Sequence, residues 1–224
     1  MPLALRKYLA LSAMLAAPLA AGKSEKDITV LVYNYAPVSQ EVLAQAETEA
    51  GRIYGHGGVA VGWVDCLLTA TACKGPSRPS LPVVRILPRA SAERLRQVQD
   101  SYGFALYPEG GGFALIANVF AHNANLLAER RGLPPGVVLG HLLAHEIGHL
   151  LLGPGSHGWS GIMKAAWHGQ DLETMAKGQM LFSTGELEEM RRNIAARIGA
   201  VSSNALAGGL EGCGQSNASA RQLR

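Results

Sequence analysis

His145, Glu146 and His149 fall within five consecutive positions, in the run HEIGH. Four residues span slightly more than one turn of an α-helix, so the two imidazoles share one face. Nitrogen-to-zinc distances near 2.1 Å let both meet a single ion across that turn. Glu146 lies about 100° round the helix from His145, too far aside to be a third ligand on the same axis but close enough to hold a water that the ion activates. The chemistry these residue types support is metal-assisted hydrolysis: Zn²⁺ polarises a carbonyl and Glu146 takes the proton of the attacking water as general base.

A catalytic zinc takes three protein ligands and keeps one open position, so two histidines leave the set one short. The helix stops at Gly153-Pro154-Gly155. Gly153 can adopt the left-handed conformation that ends a helix, Pro154 cannot continue it, and Gly155 permits a sharp redirection. His157, eight residues after His149, would then return toward the ion as the third ligand, with Met163 six residues further on in the run Gly-Ile-Met. The rival third ligand is a glutamate from a later helix, Glu173 first, with Glu186 or Glu189 behind it; His168 is a further candidate. His141, one turn before His145, drifts about 40° off the ligand face and is expected to pack or hydrogen-bond nearby. Burying His145, Glu146 and His149 on an apolar helix without a partner would cost several kcal/mol, and a metal removes that difficulty.

These residues resemble the motif of the metzincin zinc peptidases, H-E-x-x-H-x-x-G-x-x-H followed by a methionine-containing turn. The resemblance implies that His145, His149 and His157 bind the metal, that Glu146 is the general base, and that Gly153 and Met163 are the turn glycine and turn methionine. The spacing departs from the family pattern. The glycine follows the second histidine by four residues instead of three, and the last histidine follows it by eight instead of six. A metzincin-like zincin catalytic domain is the fold this likeness implies.

The elements that would position the site are legible from pattern. Residues 27–36 read as a strand, 38–56 as a helix capped by Ser39, and 58–66 and 81–89 as two further strands. A short helix or turn at 91–101 precedes two apolar extended runs parted by the glycines at 110–112, which suits a hairpin or an edge strand. Asn118 and its run, 111–121, suit either a rim that pairs with a substrate backbone or an ordinary sheet strand. A helix then ends at Gly132, Pro135 starts the motif helix, and a last helix opens at Ser183 or Thr184 and stops at Gly199. The order predicts an α/β (α+β) fold, a twisted mixed sheet with packed helices.

Residues 1–22 read as a secretory signal peptide: Arg6 and Lys7 precede an apolar stretch too short to span a bilayer, with small residues near position 22. Lys23 stands where a lipoprotein would carry its cysteine, so release into a secreted or periplasmic compartment is expected, without a membrane anchor. Residues 23–199 would form one domain and 200–224 a disordered tail. Losing Arg6 and Lys7 takes the formal charge from +3 to +1, and the remaining charges are interspersed, which argues against a nucleic-acid partner. Export makes a disulfide between Cys66 and Cys73 plausible, leaving Cys213 over. The expectation is an exported zinc peptidase acting on a protein or peptide. The alternatives are a zinc hydrolase of non-protein amide bonds and a non-catalytic secreted binding protein stabilised by zinc.

Overall fold

Val30 and Val32, Val84 and Ile86, and Ala117 and Val119 are buried at alternate positions of three strands, so one face of a sheet carries the core. The computed structural model describes residues 26–67, 73, 81–94, 101–109 and 114–211. The expected signal peptide, the glycines at 110–112 and Cys213 lie outside these residues. Five strands form one sheet: β1 (Ile28–Asn34), β2 (Val61–Asp65), β3 (Val83–Leu87), β4 (Gly103–Leu106) and β5 (Ile116–Phe120). Their spatial order is β2-β1-β3-β5-β4, with β2, β1, β3 and β5 parallel and β4 antiparallel to β5 at the edge. The mixed α/β architecture expected from sequence is therefore present. Asn118 takes the second of its two expected placements, an ordinary sheet strand: it sits on β5, flanked by β3 and β4, and the edge strand beside it is β4.

Helix α1 (Gln40–His56) begins where Ser39 Oγ accepts from the Val42 amide at 3.3 Å. It turns Leu43, Ala46, Ala50 and Ile53 inward at helical spacing. After α2 (Arg89–Arg94) and α3 (Ala121–Arg131) comes α4 (Pro135–Leu152), the motif helix, with Pro135 in its first turn as the sequence suggests. Helices α1, α3 and α6 (Thr184–Glu211), together with β4 and β5, all pack on α4. By length and composition α4 could cross a membrane, but 78% of it is buried inside the protein, which accounts for its apolarity.

Close packing around α4 follows from small residues recurring every four positions: Gly136, Gly140, Ala144 and Gly148. A Cβ on Gly140 would stand 2.7 Å from the Ala46 carbonyl oxygen, so only glycine lets α1 lie backbone to backbone against this ridge. The carbonyls of the last turn find donors elsewhere, as helix ends require. His149 O accepts from Gly153 N at 3.0 Å, Leu150 O from the Arg197 guanidinium, and Leu151 O from Asn193 Nδ2 at 2.7 Å. Helix α6 thus clamps the end of the rod.

Helix α6 opens on a reciprocal cap: Ser183 Oγ accepts from Glu186 N, and the Glu186 carboxylate accepts from Ser183 N. It does not stop at Gly199. It continues to Glu211, so residues 200–211 are helical where a disordered tail is expected. A glycine costs a helix only about 1 kcal/mol, and residues 200–211 contain no proline to end the turn. Helix α5 (Gly169–Ala176) lies between α4 and α6 in sequence. Cys66, just past β2, is disulfide-bonded to Cys73 with 5.5 Å between Cα atoms.

Candidate metal centre

His145 and His149 project from successive turns of α4, and the chain reversal after Leu152 brings His157 to them. Their ring centroids lie 4.7 Å apart, and that of His157 is 4.7 Å from His149 and 5.5 Å from His145. One nitrogen from each ring falls within 4.8 Å of the others. Nitrogens sharing a tetrahedral zinc sit about 3.4 Å apart, so this set suits one small cation. His145 is buried, His149 half-buried and His157 exposed on its loop.

The tautomer of His145 is fixed by its neighbour. Its Nδ1 lies 2.7 Å from the Ile162 carbonyl oxygen, which can only accept, so Nδ1 carries the proton and Nε2 presents a lone pair. His149 Nδ1 is 2.9 Å from Ser156 Oγ, and its Nε2 stands 3.0 Å from that of His145. Burial lowers the pKa of His145 to about 4, with the charge of His157 adding to it; burial and both neighbouring rings lower that of His149 to about 3. With His157 as the third ring, neutral imidazoles converging on one point are donors suited to a divalent metal ion, so these residues could hold one.

Glu146 is 3% exposed, and its Oε2 has no hydrogen-bond partner among the described residues. Burial pushes its carboxyl up to about 8. The edge strand lies directly over it: a Cβ on Gly103 would meet Glu146 Oε1 at 2.6 Å and the Asn118 carbonyl oxygen at 2.4 Å. Gly103 therefore permits β4 to close on the carboxylate. A glycine inside an apolar strand is the signal that could have found it.

The break after α4 departs in detail from expectation. Gly153 has φ 98° and ψ −178°, a region open to glycine alone, in place of the left-handed helical cap. That extended geometry turns the chain outward at once while Gly153 N still bonds His149 O. Met163 is fully buried, its sulfur lying where a Cβ on Gly148 would meet it at 2.5 Å, so it supports the turn of α4 between the two histidines.

The rival ligands lie elsewhere. Glu173 and Glu189 are exposed on α5 and α6, and Glu186 is occupied in the cap of α6. Among the described residues the three histidines form the one group suited to a metal. His168 lines the cleft and caps α5, its backbone N–H held by Asp171. His141 is buried and bonds Val137 O at 2.8 Å, packing beside the site as expected.

The cleft over the cluster measures about 560 Å³, with Gly103, Ala105 and Tyr107 on one wall and Lys164, Ala166 and Trp167 on the other. Three residues around the histidines escaped sequence reasoning. Ser156 orients His149, Trp167 Nε1 shares the Ile162 carbonyl at 3.3 Å, and the Tyr107 hydroxyl donates to His149 O at 3.1 Å. Burial, with Glu146 nearby, raises the pKa of Tyr107 and keeps its hydroxyl protonated. No family model matches this chain, and no curated protein matches it.

Proposed function

We propose that the protein is an exported zinc-dependent peptidase with a metzincin-like catalytic domain. The observation that carries this reading is the convergence of three imidazole nitrogens within 4.8 Å of one another beside a buried carboxylate in one open cleft. His145, His149 and His157 would hold the ion, and bound there it supplies Lewis acidity toward a carbonyl oxygen and a nearby water. Glu146, buried and without a partner at Oε2 among the described residues, accepts the proton of the attacking water and delivers it to the departing amine. Ile162 O and Ser156 Oγ hold the two helix-borne rings in place. A peptide is favoured as substrate because the cleft is lined by β4, the edge strand of the sheet among the described residues, where an extended backbone can add as a further strand. The Cys66–Cys73 disulfide supports export into an oxidising compartment.

The test is a peptide-pool digest by the purified zinc-loaded chain beside Glu146→Gln. Cleavage by the first and none by the second is expected, with one zinc per chain in both. Identical digests from the two proteins would overturn the peptidase reading.

A further inference from the structure

We propose that Tyr107 is a catalytic hydrogen-bond donor whose hydroxyl leaves the His149 carbonyl to bind the scissile carbonyl oxygen as that oxygen gathers negative charge. The inference rests on the peptidase reading and adds a group to it. Tyr107 follows β4, whose Gly103 covers Glu146, so this short stretch runs along the mouth of the cleft past the general base. Its hydroxyl reaches His149 O, the backbone of a metal-cluster residue, which places it beside the cluster.

The bond it makes there is redundant. His149 O already accepts from Gly153 N at 3.0 Å, the bond that closes α4, so losing the phenol leaves no orphaned carbonyl. Other donors on the cleft wall hold separate positions. Ser101 Oγ is bonded to Gly103 O at 2.9 Å, Lys164 Nζ is paired with Asp171 at 2.7 Å, and Trp167 Nε1 shares the carbonyl that orients His145. A half-buried phenol with a dispensable acceptor can turn toward substrate by side-chain rotation alone. It keeps its proton throughout, donating a hydrogen bond that strengthens as charge develops on the oxygen it faces.

The experiment uses the zinc-loaded full-length chain, Tyr107→Phe, and a peptide the wild type cleaves. Removing the hydroxyl should lower kcat about 100-fold while KM stays within about twofold, the pattern of a contact made in the transition state. A phosphinic peptide of the same sequence, tetrahedral at the scissile position, should bind more weakly by a similar factor. Zinc content and Tm should match the wild type. A kcat within about threefold of wild type, an effect confined to KM, or unchanged phosphinic-peptide affinity would each overturn the assignment. Glu146→Gln separates the two readings. If wild type and Glu146→Gln are equally inert, the peptidase reading falls and Tyr107's role with it. If hydrolysis depends on Glu146 and Tyr107→Phe is unimpaired, only the role of Tyr107 falls.

Discussion

Helix α4 and the segment from 153 to 168 deliver metal-cluster residues by opposite means. The helix is buried from Val138 through Gly148 and held by side chains from α1 and α6, so His145 and His149 are fixed by the same packing that makes the core. The segment is largely exposed and irregular, held at its base by Gly158 N on Met163 O at 2.7 Å and by Ile162 N on Leu181 O at 3.1 Å. Two positions are thus set when the domain folds, whereas His157 is set by a few backbone bonds. The rigid half of the site carries most of the pre-organisation, and the looser half adds the third imidazole at a greater cost in ordering entropy.

Substitutions on either side of this divide sharpen it. His149→Ala is expected to weaken zinc binding about a thousandfold, read by competition with a chelator, and His157→Ala distinctly less, because freeing the loop recovers part of its ordering entropy. Equal losses at the two positions would erase the contrast. Gly140→Leu drives a side chain into the Ala46 carbonyl and Glu49, and urea denaturation should show a loss of about 3 kcal/mol. Ser156→Ala should lower zinc affinity about tenfold through the freed His149 ring, with Tm unchanged.

The smallest effect belongs to Glu47 on α1, whose pKa is raised to about 7 by burial and then by Asp65. Its folded-state value exceeds the ordinary one, so the folded protein binds the extra proton, and stability falls as pH rises from about 4.5 to 7. Glu47→Gln should match the wild type near pH 4 and exceed it above pH 7 by about 1 kcal/mol, a figure reduced for the solvent screening of a half-exposed carboxylate. A constant difference across pH would refute this origin.

Much of the rod was legible because its signals are local. The spacing of His145 and His149, Pro135 at the start and Gly153 at the end are all readable from residues within one helix and its flanks. The reversal that brings His157 back follows from Gly153-Pro154-Gly155, although the backbone angles at Gly153 depend on where the chain must go next. What sequence left hidden depends on strand order. Gly103 matters because β4 pairs outside β5, and strand order alone decides between the two placements open to Asn118, since β3 takes the other side. Tyr107 is likewise brought to His149 across 42 positions by that pairing. The end of α6 is hidden for a different reason: Gly199 reads as a stop, and nothing local marks a helix that runs on through its glycines.

One carbonyl, that of Ile162, accepts from both the His145 imidazole and the Trp167 indole, whose rings meet edge to face at 5.7 Å. The indole is therefore a built-in gauge. Its fluorescence should respond when an ion draws on the imidazole it shares an oxygen with, so filling of the site can be followed optically without attaching a dye.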